Sequence, residues 1–344
     1  MDQYTDSKSA QIGITTMFGV LVITDLVGNT LVCLVIVLYH EMRNPVNFLL
    51  LNLAVADMMF ALFIGQRFVL VHLYPHPVGL SGSLLCKSHN LTWVGGAASV
   101  FTLVAIAFER FYAVIYPYGN KGKVTYGKLK IFIPISWICA TILNIPLFLT
   151  VYFDEKTSFC LEYWPKDWLP KAYSLTWFFV AGIIPVMLMA VLYSRVVYSL
   201  WFKHQRSDSE NTRQGVLKVR KRVTKMVLTV SIIYALCWLP NLIVYALAYL
   251  SPSQTYGTVL YITSIVLVTC NSAVNPFIYV FVNQKFREKI ENLFCCGATC
   301  SANRVEPSAA SSQHTNTATN NSQAYPNLAE DDISRQEFNR ESNV

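Results

Sequence analysis

Charge is scarce in this sequence. Of 344 residues, 53% are hydrophobic and only 14% are charged, and the mean hydropathy is +0.39. Soluble globular chains carry about 25% charged residues, so a water-covered fold of two or three domains is excluded. From Ser88 to Phe108 there is no Asp, Glu, Lys or Arg at all. Chemistry is scarce too. There is no His-Glu-x-x-His, no Gly-x-Ser-x-Gly and no His/Asp cluster inside the apolar stretches, so nothing points to an enzyme. No repeat relates the two halves, which argues against a transporter built from duplicated bundles. A cleavable signal pattern is also missing. Residues 1–11 are polar, and the apolar run Ile12–Leu38 is too long for a signal core. That run is expected to remain as a signal-anchor helix.

What the sequence does have is apolar runs. A bilayer crossing takes about 20 residues, and seven stretches qualify: Ile12–Leu38, Asn47–Leu73, Leu85–Tyr116, Leu129–Phe148, Tyr173–Phe202, Arg222–Leu250 and Tyr256–Asn283. The expectation is an all-α membrane protein, a bundle of seven transmembrane helices over residues 12–283 preceded by a short tail, 1–11. Lysine and arginine orient it, because basic loops stay in the cytoplasm. The connection after the third span carries Lys121, Lys123, Lys128 and Lys130. The one after the fifth carries Lys203, Arg206, Arg213, Lys218, Arg220, Lys221 and Arg222. The alternate connections are neutral or mixed, so the N-terminus is expected outside and the C-terminus inside. The net charge of +7 then reflects membrane orientation, and no nucleic-acid partner is needed to explain it.

This topology sorts the nine cysteines. Cys33, Cys139, Cys237 and Cys270 fall within spans, as small buried hydrophobes. Cys295, Cys296 and Cys300 are on the reducing side. Only Cys86 and Cys160 face the oxidising side, and by elimination they are expected to pair, drawing the loop before the fifth span across the mouth of the bundle.

Ionisable groups in a bilayer cost roughly 2.5–3.5 kcal/mol each on insertion scales, so each calls for a reason. Asp57 sits in mid-span with no base nearby on its helix, and Asn29, Ser99, Asn271, Ser272 and Asn275 lie at matching depth. These residues allow two readings, a hydrogen-bonded packing network or a hydrated cluster holding a monovalent cation or a proton. A single central acid is too little for a transport path. Pro146, Pro185, Pro240 and Pro276 each interrupt a span, and bent helices around a polar core suit a bundle that changes shape.

Several short motifs occur in order: Gly28–Asn29, "LNLAVAD" ending at Asp57, the Cys86/Cys160 pair and "ERF" at Glu109–Phe111. Trp137, Pro185 with Tyr193, "CWLP" at Cys237–Pro240 and "NPFIY" at Asn275–Tyr279 follow. In this the chain resembles the rhodopsin-like (class A) G-protein-coupled receptors over about residues 12–296. The resemblance implies that Glu109 holds Arg110 at rest, and that an outward swing of the sixth helix frees the arginine for a heterotrimeric G protein. Tyr193 and Tyr279 would steady the open form, with Trp238, Pro240, Asn275 and Pro276 as parts of the same switch. A sodium ion at Asp57, Ser99, Asn271, Ser272 and Asn275 would act as an allosteric modulator, and no other cofactor or metal is implied. Plasma-membrane localisation follows, and arrestin and a receptor kinase are implied as partners. There are departures from the pattern. Phe111 and Tyr234 replace the usual tyrosine and phenylalanine, the interval from Cys86 to Arg110 is one residue short, and the tryptophan common before the first cysteine is missing. Asp25, one turn before Asn29, has no counterpart in the matched motifs.

Further absences narrow the ligand. The outer third helix, "NLTWVGGAA", offers Thr92 where amine receptors place an aspartate, and the seventh span has no lysine for retinal. The loop "CLEYWPKDWLP" is similar to that of receptors for neuropeptide Y, neuropeptide FF and related amidated peptides. An extracellular peptide is therefore expected, with a small lipid-like or indole-like ligand as the alternative. Asp154, Glu155, Glu162 and Asp167 would meet a basic peptide end; Gln66, Arg67, Thr92, Trp93, Trp164, Trp238, Tyr245 and Tyr249 would line the cavity. For Arg67 and the tyrosines, ordinary pairing and packing are equally open. The glycosylation pattern Asn90-Leu91-Thr92 falls inside the third helix and is expected to go unused. After the last span, "NQKFREKIENLF" places Phe286, Ile290 and Phe294 on one face of a short amphipathic eighth helix, residues 284–296, lying on membrane lipid. Cys295 and Cys296 are palmitoylation candidates. Residues 297–344 read as a disordered tail whose Ser308–Thr319 cluster could be phosphorylated.

Overall fold

Among the described residues, seven helices are long and apolar enough to cross a membrane, so this is a multi-pass membrane protein. The structure, a computed structural model, describes residues 7–70, 74, 76–117, 124–155, 159–203, 211–251 and 259–294. The spans are α1 (Lys8–Leu38), α2 (Pro45–Leu70), α3 (Gly79–Ile115), α4 (Tyr126–Thr150), α5 (Trp168–Phe202), α6 (Asn211–Leu250, apolar from Leu217) and α7 (Val259–Val282). A short helix, α8 (Gln284–Phe294), follows the last span. Every described residue belongs to one compact unit, Met1–Gly297.

Local chemistry sets the helix starts. Asn44 accepts the Asn47 N–H at 3.0 Å, and Pro45, whose missing N–H costs nothing in a first turn, opens α2. Thr125 caps α4 in the same way. Side-chain polarity is inverted relative to a soluble bundle. Ile12, Val20, Ile135, Ile142 and Leu236 are exposed on the outer surface, while Asp25, Asn29, Asp57, Asn144 and Asn275 are buried. An apolar outside is what a hydrocarbon solvent demands. α3 lies against α2, α4, α5 and α6; α1 packs on α2 and α7, and α6 on α7. Polar bonds tie these contacts. Trp137 on α4 donates to Asn52 at 3.0 Å, and Asn52 donates to Thr102 on α3 at 2.8 Å.

α6 and α3 depart furthest from the boundaries expected of the apolar runs, and α5 carries an irregular turn. α6 begins at Asn211 instead of Arg222, because lysine and arginine are good helix formers and hydropathy marks the membrane edge instead of the helix end. α3 starts at Gly79 instead of Leu85 and is pinched at His89–Asn90, where the Asn90 N–H turns back to Lys87 at 3.1 Å, three residues away. A tighter turn rises about 2.0 Å per residue against 1.5 Å, so it lengthens this part of the helix. α5 carries a π turn, Phe178–Ile183, just before Pro185.

Candidate functional site

Between α4 and α5 the chain forms a hairpin, β1 (Val151–Asp154) paired antiparallel with β2 (Phe159–Glu162). Cys160 on β2 is bonded to Cys86 on α3, so the hairpin is anchored over that end of the bundle. His76 stacks on Phe153 with ring centroids 4.2 Å apart, and its Nε2 lies 3.8 and 3.9 Å from the two sulfurs. That stack covers the disulfide where the sequence lacks the common tryptophan. Gly79 adopts φ +67°, and its N–H donates to Glu155 Oε1 at 3.1 Å. Glu155, expected as a ligand acid, thus holds the start of α3.

Beneath the hairpin is a cavity of about 360 Å³. At its mouth the Glu162 carboxylate accepts two bonds on one oxygen, from Tyr249 Oη at 2.6 Å and Trp164 Nε1 at 3.0 Å. An aromatic column descends from the floor. Trp93 lies 6.2 Å from Trp177 and 6.5 Å from Trp238, and Tyr234 is 5.7 Å below Trp238, centroid to centroid. Gly96 makes room for this column, since a Cβ there would sit 2.5 Å from the Trp238 ring. The Tyr234 hydroxyl donates to the main-chain oxygen of Ala181, within the π turn of α5.

Deeper still, Asp57 accepts from Ser99 at 3.0 Å on one oxygen and from Asn275 at 2.7 Å on the other. Ser272 lies with its side chain beside Asp57. Its main-chain oxygen receives the Asn29 amide at 3.5 Å, and that amide reaches Asp25 Oδ1 at 3.0 Å. At the far end, Glu109 and Arg110 are joined by a buried ion pair. Tyr193 lies 3.5 Å from the Ser231 hydroxyl of α6, and the Tyr279 ring packs at a tilt against Phe286 of α8.

The description "7 transmembrane receptor (rhodopsin family)" belongs to a family model that matches residues 28–279. The chain belongs to that family. Neuropeptide FF receptor 2 of Mus musculus is 33% identical over 296 residues, covering 78% of this receptor and 69% of the relative. Substance-P receptor of Mus musculus is 29% identical, with 84% and 72% covered. Allatostatin-A receptor of Bombyx mori is 32% identical, with 81% and 78% covered.

Of the expected lining residues, the receptor brings Arg67, Trp93, Glu162, Trp164, Tyr245 and Tyr249 to the cavity. Three do not line it. Gln66 accepts from the Ser88 hydroxyl at 3.2 Å and so links α2 to α3, Thr92 is buried on another side of α3, and Trp238 lies below the floor. Asn90 is itself buried, which leaves its glycosylation pattern inaccessible. His89, Leu161, Trp177, Asn241 and Tyr261 line the cavity without having been expected. Helical spacing holds the signal for two of them: His89 is three residues after Cys86, and Asn241 four before Tyr245, each on the same face. Cys295, Cys296 and the cluster from Ser308 to Thr319 lie outside the described residues.

Proposed function

We propose that this chain is a plasma-membrane receptor activated by an extracellular peptide and signalling through heterotrimeric G proteins. The observation that carries the reading is the Glu162 carboxylate fixed at the cavity mouth by Tyr249 and Trp164, above an aromatic floor. A fixed acid over aromatic faces suits a cationic or amide-bearing peptide end. A volume of about 360 Å³ accepts such an end and leaves the rest of the peptide to the hairpin and outer rim. The relatives named above are, by name, receptors for neuropeptide FF, substance P and allatostatin-A. The lysine and arginine distribution supports an outside N-terminus.

In this mechanism the ligand acts on Trp93 and, through it, on Trp238 and Tyr234. α6 swings outward, the Glu109–Arg110 pair opens, and Arg110 meets the G protein while Tyr193 and Tyr279 steady the open form. Asp57, Ser99, Asn271, Ser272 and Asn275 would hold a sodium ion, which would supply a positive charge favouring the closed form. Those residues fit it, since Asn271 and Asn275 each keep a buried side-chain oxygen without a donor among the described residues. Palmitoylation of Cys295 and Cys296, and phosphorylation of the tail for arrestin, complete the reading.

The test is G-protein activation in cells expressing the chain, challenged with a panel of amidated neuropeptides, with Arg110→Ala as control. The expected result is a response to at least one peptide, lost in Arg110→Ala at unchanged surface expression. Silence across the panel with surface expression confirmed would overturn the peptide reading in favour of a small-molecule ligand.

A further inference from the structure

The buried network on α1 and α7 has more acceptors than donors. Asp25 and Asn29 are fully buried, and Asp57, Asn271 and Asn275 nearly so. Four of their side-chain oxygens have no hydrogen-bond partner among the described residues: Asp25 Oδ2, Asn29 Oδ1, Asn271 Oδ1 and Asn275 Oδ1. The Asn29 amide nitrogen is committed to Asp25, so its oxygen is the atom left over. Asn29 also touches Ser272, and Ser272 touches Asp57, so the two acids are joined through two residues and lie within reach of each other's charge.

Charge balance sharpens the point. Among the described residues, α7 has no lysine, arginine or histidine, and α1 has only Lys8, at its first residue. On α2 the nearest base is Arg67, ten residues beyond Asp57, roughly 15 Å at 1.5 Å per residue. Two buried carboxyls without a base need compensation of another kind. A proton on one acid supplies a single donor. A cation satisfies several oxygens at once, and carboxylate and amide oxygens are the donors that hard alkali and alkaline-earth ions prefer.

We infer that Asp25 and Asn29 form a second hard-cation subsite, adjoining the Asp57 cluster through Ser272. This rests on reading the Asp57 cluster as a cation site, and the experiment separates the two. The purified full-length receptor in detergent micelles is unfolded thermally across a concentration series of NaCl or CaCl₂, against choline chloride at equal ionic strength. Asp25→Asn, which keeps the side-chain shape, is compared with wild type and with Asp57→Asn. The half-maximal cation concentration is expected to rise about tenfold in Asp25→Asn, the loss of one charged oxygen contact. Where the midpoint shifts in Asp25→Asn, the subsite is supported, a stronger calcium response then identifying one ion bridging both acids and a stronger sodium response an ion at each. If wild type responds, Asp57→Asn does not, and Asp25→Asn superimposes on wild type in both salts, the Asp25 subsite is overturned and the Asp57 reading survives. If wild type gains nothing over choline, both fail. Should Asp25→Asn not give a cooperative transition, Asp25→Ser serves the same comparison, with superposition on wild type again overturning the subsite.

Discussion

Tyr234 carries a hydroxyl that a phenylalanine at the same place would lack, and that hydroxyl is the bond between α6 and the π turn of α5. Pro185, four residues on, has no N–H to donate to the Ala181 carbonyl, so Ala181 offers an acceptor that a helix without proline would not. If α6 swings outward on activation, this bond lies in its path. Tyr234→Phe is therefore expected to weaken the closed form by about 1 kcal/mol, the net worth of one buried hydrogen bond, and to raise ligand-free signalling about fivefold. Ligand-free G-protein activation at matched surface expression checks this. Lower basal signalling would mean that the bond belongs to the open form instead. Trp238 directly above is held in a different way, by the absence of a side chain at Gly96.

Among the elements, α8 is anchored twice. Phe286 is fully buried against Tyr279. On its polar side, Lys289 bridges Glu41 at 3.0 Å in the turn after α1 and sits 4.9 Å above the Tyr39 ring. The hydrogen bond from Lys289, followed by that lysine's charge, holds the Glu41 carboxyl below its ordinary value of 4.5. A lowered acid stabilises docking fully above its unfolded value and loses that contribution as pH falls through the folded one. Protection of the α8 amides from hydrogen exchange is thus expected to stay level between about pH 7 and 5 and to fall only in more acidic buffer. Glu41→Gln should remove that fall. The effect is small, because both groups reach solvent. α8 was legible in the sequence because its apolar residues recur at helical spacing, and the seven spans because a bilayer fixes a minimum apolar length. The π turns of α5 and the pinch in α3 were not. Pro185 marks a bend in α5 but not the kind of turn that precedes it, and no residue type marks the pinch. Glu162 was legible as an acid in an aromatic loop, but its fixation by Tyr249 joins residues 87 apart in sequence. Only the folded hairpin brings them together.

At the scale of the whole molecule, the cavity and the Glu109–Arg110 pair occupy opposite ends of one bundle, joined by α3, α5 and α6 and by the column Trp93, Trp238, Tyr234. If ligand and G protein both select the open form, each must tighten the other by the same factor, typically 5–150-fold. Agonist titrations with and without saturating G protein, and the reverse titrations, are expected to return equal factors; unequal ones would rule out a simple two-site linkage. The pinch at His89–Asn90 has a practical consequence for anyone reasoning by analogy. It works like a slipped thread on a screw. Below it, positions counted from Arg110 follow a regular helix, while through it each residue turns about 120° instead of 100°. A residue chosen for mutation by counting up from Arg110 would land on a neighbouring face. Trp93, on the Arg110 side of the pinch, and His89, within it, both face the cavity, so contacts above the pinch are better indexed from Cys86.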